Sequence, residues 1–138
     1  MSTTERPIAL ALILCDQIIT EHQTMKKSLI GTFNSITLAT LPSAYATMCL
    51  YAALTNGMGK MDTRLRCVYM GDNITEERTL WEVKGPIEFA NPNQVVEINF
   101  VLNGVVFQNA GLHTFEFYCN DDLLMERRFH VKLQGSSQ

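Results

Sequence analysis

Apolar residues in this chain recur at every second position in short runs, broken by glycine, proline and Asn/Asp clusters. Period two is the alternation of an extended strand, whose successive side chains point to opposite faces. The plainest case is Val95 to Leu102, with Val96, Ile98, Phe100 and Leu102 on one parity and Glu97 and Asn99 on the other. Tyr45 to Thr55 sets Met48, Leu50, Ala52 and Leu54 against Tyr45, Thr47, Cys49 and Tyr51. Met61 to Met70 sets Leu65, Cys67 and Tyr69 inward against Asp62, Arg64 and Arg66. Leu112 to Asn120 carries His113, Phe115, Phe117 and Cys119 on one face, and Leu123 to Leu133 carries Leu123, Met125, Phe129 and Val131. Ile8 to Cys15 differs: it is apolar at both parities. Such a run suits a strand covered on both faces, or one whose outer face meets another subunit.

The interruptions divide these runs. Asp16 to Lys27 reads as a polar connection with a short extended piece at Ile18-Ile19. Ser28 to Leu38 alternates loosely around Gly31, where a bulge or close backbone approach is expected. Asn56-Gly57-Met58-Gly59 and Asn103-Gly104 read as hairpin turns. Gly85-Pro86 is expected to end the strand begun at Arg78, leaving Ile87 to Phe89 as a short edge piece. No stretch has a sustained helical period; Asp62 to Arg66 or Thr75 to Thr79 would give one turn at most. About eight strands with turn signals between them predict an all-β fold, an antiparallel β-sandwich of immunoglobulin-like or similar Greek-key type. Residues 1–138 form a single domain in this reading, with 1–6 and 135–138 frayed.

Two local features are sharper. A three-residue loop, Asn120-Asp121-Asp122, would place Cys119 opposite Leu123, Phe117 opposite Met125 and Arg127 opposite Phe115. Arg127 then lies on an apolar face and needs a partner or an escape at the sheet edge. Asn109-Ala110-Gly111-Leu112-His113 resembles the D/N-x-G-x-Y corner of immunoglobulin-like sandwiches, with His113 where the tyrosine would stand. Gly111 and His113 are therefore structural corner residues, and an imidazole N–H can take the hydroxyl's place.

Composition narrows the function classes. Hydrophobic residues make up 46% of the 138, charged residues 18%, and the net charge is −3. Disorder is excluded, and nothing attracts nucleic acid or an anionic membrane. Arg64, Arg66, Arg127 and Arg128 make a small basic patch, balanced by Asp62, Glu116 and Glu126. Cys15, Cys49, Cys67 and Cys119 each sit in an apolar run without a C-x-x-C pair, which predicts reduced, buried thiols. Ile8 to Leu14 is at the lower end of secretory length, Glu5 cancels Arg6, and Leu14 before Cys15 does not fit a lipoprotein box. The chain is read as cytoplasmic, where the Asn73-Ile74-Thr75 acceptor has no meaning.

No catalytic constellation emerges. His22, His113 and His130 lack metal-ligand spacing, and no nucleophile elbow or phosphate loop is present. Glu76-Glu77 and Asp121-Asp122, with Asp16 and Asp72, are the carboxylates for a calcium site, but Asp121-Asp122 reads first as turn chemistry. No metal, cofactor or catalytic residue is expected.

Leu14-Cys15-Asp16, the run Lys26-Lys27-Ser28-Leu29-Ile30-Gly31-Thr32-Phe33, and the closing Gly111-x-His113-x-Phe115 … Arg127-x-Phe129-x-Val131 hairpin resemble an uncharacterised bacterial family of small β-rich proteins of unknown function. Its members carry an LLCD…KSLIGxF…GxYxF pattern. The resemblance implies a bacterial cytoplasmic β-sandwich and brings no catalytic residues.

The expected function is contact without catalysis. Surplus apolar surface at Ile8, Leu10, Ala11 and Ile13, with Tyr45, Tyr51 and Tyr69 as aromatic anchors, points to a homo-oligomer, a dimer first, or to a further protein partner. The alternatives are a ligand-binding protein or enzyme with a pocket between the sheets, and a phage-derived or structural assembly subunit.

Overall fold

The computed structural model describes residues 6–71 and 78–135. Asn73-Ile74-Thr75, Glu76-Glu77 and Asp72 lie outside the described residues, as do parts of both termini. Among the described residues there are nine strands: β1 (Ile8–Thr20), β2 (Lys27–Thr32), β3 (Ser35–Leu38), β4 (Ser43–Thr55), β5 (Gly59–Tyr69), β6 (Arg78–Phe89), β7 (Val96–Phe107), β8 (Gly111–Cys119) and β9 (Asp122–Leu133). They form a four-stranded sheet, β2-β1-β4-β7, and a five-stranded sheet, β3-β9-β8-β5-β6. All pairings are antiparallel except β3 with β9. Leu12, Leu14, Met48, Leu50, Ala52, Leu54 and Leu102 of the first sheet meet Met61, Leu65, Cys67, Phe115, Phe117 and Phe129 of the second in one core. Each is a position that period two assigns to one parity of its strand.

Several boundaries differ from the sequence expectation, each for a physical reason. Asp16 to Thr20 is no connection but the outer half of β1, paired to β2 through Gln17↔Ile30 and Ile19↔Ser28. Hydrogen bonding to a neighbouring strand outweighs a polar composition there. Asn56-Gly57-Met58 does not close a hairpin: β4 and β5 belong to different sheets, so the segment carries the chain across the core. Gly57 is needed because a Cβ there would lie 2.4 Å from the Phe89 ring. β7 passes straight through Asn103-Gly104, where Gly104 takes φ 70°. The buried parity switches at that point from Leu102 to Val105 and Phe107. Its partner β4 switches in step, so Tyr45 packs on the core while Tyr51 faces outward. β6 continues through Pro86, which an edge strand tolerates. Gly31, φ 71°, is a close approach: a Cβ would meet Asp16 Oδ2 at 2.4 Å.

The β8–β9 hairpin also departs in detail. Cys119 pairs with Asp122, so the loop is two residues, Asn120-Asp121, both at positive φ (47° and 69°). That is the mirror-image turn that matches strand twist. A register shift between Phe117 and Tyr118 restores the expected pairs Phe117↔Met125 and Phe115↔Arg127. The bulge does the work assigned to a third loop residue. Arg127 finds its partner in Asn34 Oδ1 at 2.9 Å.

Candidate functional site

The two outer faces differ in charge. The four strands β1, β2, β4 and β7 carry only Asp16, Lys27 and Glu97 as charged side chains. In the five-stranded sheet β5 alone carries Lys60, Asp62, Arg64 and Arg66, and β9 carries Asp122, Glu126, Arg127, Arg128 and Lys132. On the charged face Arg66 pairs with Glu116 at 2.7 Å, Tyr118 donates its hydroxyl to the same carboxylate at 2.8 Å, and the Arg64 guanidinium lies 4.1 Å from the Tyr118 ring centre. Arg64 also bonds Glu82 at 3.3 Å. The two arginines are thus balanced locally, Glu82 joining the carboxylates expected from sequence.

The opposite face is apolar. Across β1 and β4 the pairs Ala11↔Ala53, Ile13↔Tyr51 and Cys15↔Cys49 share the outer side. β2 adds Ile30 opposite Gln17, and β7 adds Val101 opposite Cys49. Ile30 is 46% and Val101 56% exposed, while Ile8 and Leu10 stand at 53% and 52%. Leu10 protrudes because the β1–β4 register shifts between Ala9 and Ala11. The tip of the β1–β2 hairpin, Glu21 to Lys26, is exposed and turns on itself, with Met25 N–H donating to the Glu21 carbonyl at 2.8 Å. It extends the hairpin, and among the described residues Leu10, Ile30 and Val101 stay exposed on this face while Cys15, Cys49 and Ala53 are buried between their neighbours. Two polar contacts cross the face: the Thr47 hydroxyl donates to Asn103 Oδ1 at 2.9 Å, and the Tyr51 hydroxyl donates to Glu97 Oε2. Burial and that carboxylate push the Tyr51 phenol up to about 12.

The sequence-expected anchors therefore separate. Ile8, Leu10, Ala11, Ile13 and Tyr51 lie together on one sheet. Tyr45 faces the core, and Tyr69 belongs to the other sheet, opposite His113 with ring centres 5.1 Å apart. Neither can join Tyr51 in one interface. Ile30 and Val101 were hidden in sequence; only strand order brings β2 and β7 beside β1 and β4.

His113 is fully buried among Tyr69, Phe107 and Phe129. Its Nδ1 lies 3.1 Å from the Gly111 carbonyl, which can only accept, so Nδ1 carries the proton. Nε2 is buried with no hydrogen-bond partner among the described residues. Burial lowers the His113 pKa, reinforced by Arg78 and His130. Gly111 takes φ 118°, a conformation closed to most side chains. The corner bond runs to Gly111 itself, two residues upstream.

A pocket of about 700 Å³ opens along the β5–β6 ladder where β8 ends, lined by Asp62, Thr63, Arg64, Lys84, Asn120 and Asp121 among others. It lies beside the Asn120-Asp121 turn, with the buried Thr63 among a lining that is otherwise exposed or half-buried. Among the described residues no group of three or more His, Cys, Asp or Glu is placed to hold a metal ion. Among the same residues no helix is long and apolar enough to cross a membrane.

The fold and its faces define a class: a two-sheet all-β protein with one charged and one charge-poor outer face. The chain belongs to the family of unknown function DUF6941, whose model matches residues 10–132. A search of curated proteins finds no match. Among solved structures it is similar to the Pseudomonas fluorescens alkylpurine DNA glycosylase AlkC bound to DNA containing an abasic site analogue, at 10% identity and a TM-score of 0.51 over 91% of this chain. The chain spans 30% of that protein's length, and the likeness is one of fold. A β-glucosidase from Listeria innocua in complex with isofagomine aligns at 10% identity and a TM-score of 0.47 over 93% of this chain and 16% of its own.

Proposed function

We propose that this protein is a non-enzymatic, immunoglobulin-like β-sandwich whose function is contact, and that it pairs with a second copy through the outer face of β2-β1-β4-β7. The observation that carries the reading is the charge asymmetry: only Glu97 interrupts the charge-poor face of β1, β4 and β7, and Tyr51 engages it. Depletion of charge at the centre with an aromatic anchor is the composition of interface cores. The area is adequate. β1, β4 and β7, with 13, 13 and 12 residues, and β2 with 6, spaced about 4.8 Å at about 3.3 Å per residue, give a face of roughly 700 Å². That approaches the roughly 800 Å² per partner of a standard interface. A two-fold axis lets the same patch serve both copies. Four buried free thiols support a reducing, cytoplasmic setting. The net charge of −3 supports the absence of nucleic-acid or membrane partners.

The test is light scattering behind size exclusion over micromolar concentrations. The unmodified chain and a Lys84→Glu variant, altered on the other sheet, are expected to run as dimers, and Ala11→Glu and Val101→Glu as monomers. A monomeric mass for the unmodified chain at all concentrations rejects the reading. Large symmetric particles would favour an assembly subunit. The pocket beside Arg64 and Lys84 supports a second reading, ligand binding, which retention of a small molecule in a native mass spectrum would favour.

A further inference from the structure

Cys15 and Cys49 are directly opposed on the last rung of the β1–β4 ladder. Opposed residues in an antiparallel pair project to the same face, so both thiols stand on the outer side of the four-stranded sheet. Their Cα atoms occupy positions about 4.5–5.5 Å apart in any such rung, inside the roughly 4.4–6.8 Å window of a disulfide. Beyond this rung β1 continues on β2 alone and β4 on β7 alone, so the two strands part here. Cys67 and Cys119 have no such neighbour. They face the core from the other sheet, opposite Phe115 and Trp81 in one case and Thr63 and Asp122 in the other.

We propose that Cys15 and Cys49 form a reversible modification site: a cross-strand dithiol that a low-molecular-weight disulfide oxidises to an intramolecular disulfide. Cys49, 6% exposed against 0% for Cys15, makes the first attack. Its thiolate displaces one thiol from the reagent and becomes a mixed disulfide. Cys15 then gives its proton to the thiolate just released, attacks the Cys49 sulfur and expels the second reagent thiolate, which takes up from solvent the proton that Cys49 gave up. Two protein thiols are oxidised, one reagent disulfide is reduced, and two reagent thiols leave. The bond would staple β1 to β4 at the point where they diverge. The inference follows from register and stands apart from the self-association reading, although it concerns the same face.

Native protein is incubated with oxidised glutathione at dilutions where its solution mass is measured in parallel. It is then denatured, alkylated and mapped by mass spectrometry. The expected product has lost two hydrogen atoms, leaves two cysteines to alkylate, and yields one linked peptide pair containing Cys15 and Cys49. Its unfolding midpoint rises on oxidation and returns with reductant. Cys49→Ala and Cys15→Ser should each stop at a mixed disulfide or not react. A link through Cys67 or Cys119, or a bond between two chains, would overturn the proposal. Because a second copy on this face would shield Cys49, the incubation is repeated on the Val101→Glu variant, expected to run as a monomer, and four alkylated cysteines there as well would overturn the proposal.

Discussion

His113 gives the most quantitative prediction of the fold. Replacing it with alanine removes a fully buried ring that touches three aromatic side chains. The cost is that of a large aromatic deletion, about 3–5 kcal/mol, above the roughly 1–3 kcal/mol of a stranded hydrogen-bond partner alone. Phenylalanine behaves differently. It loses the Nδ1–H bond to Gly111, worth about 1 kcal/mol, and removes Nε2, which has no partner among the described residues and whose burial costs about 1–3 kcal/mol. Near pH 8 His113→Phe is therefore expected within about 1 kcal/mol of the parent. The difference appears on acidification. The folded-state pKa of His113 is lowered by burial, while the unfolded chain titrates near 6.5. Between those two values the unfolded state holds a proton that the native state does not. Stability is thus fully present above about pH 6.5 and is lost as pH falls below it, by up to about 1.4 kcal/mol per pH unit. The loss levels off below the folded-state pKa. Urea unfolding of both proteins from about pH 8 to about pH 5 isolates this contribution, since His22, His130 and the carboxylates are common to both. A parent-minus-variant difference that stays flat across that range would refute the buried neutral imidazole.

Other outcomes follow from single contacts. Gly57→Ala should lower stability by about 1–3 kcal/mol in urea unfolding, because the new Cβ meets the buried Phe89 ring at 2.4 Å. Tyr51 should ionise near pH 12, and Glu97→Gln should lower that midpoint because it removes the carboxylate that opposes phenolate formation; phenolate absorbance across an alkaline titration reads both. Phe129→Ala should cost about 3–5 kcal/mol in the same unfolding assay, since its ring stacks on Phe115 at 5.2 Å and meets Phe107 and His113 edge-on or tilted.

The strands were legible wherever burial on one side imposed period two. Val96 to Leu102 and Phe115 to Cys119 show this, because a wrong parity there would bury Glu97 or expose phenylalanine. The links between strands were less legible. Asn56-Gly57 carries turn chemistry whether the chain folds back in one sheet or crosses to the other, and only the packing of Phe89 on Gly57 distinguishes the two. Asn103-Gly104 likewise marks a change of backbone direction, yet β4 follows it residue by residue and the strand survives. The apolar outer face was half legible. The missing polar face of β1 is a property of eight consecutive residues and was visible; Ile30 and Val101 join it only through strand order. Tyr45 and Tyr69 were misplaced because parity within one strand says nothing about a switch of face or about which sheet the strand enters.

The central claim is that a second copy of this chain covers the charge-poor face of β2-β1-β4-β7. Hydroxyl-radical footprinting across a concentration series measures that cover residue by residue. Oxidation of Leu10, Ile30 and Val101 should fall as concentration rises, while Val83 and Leu123 of the other sheet stay equally reactive. Unchanged reactivity of Leu10, Ile30 and Val101 at every concentration, or protection of Val83 and Leu123 in their place, would contradict it.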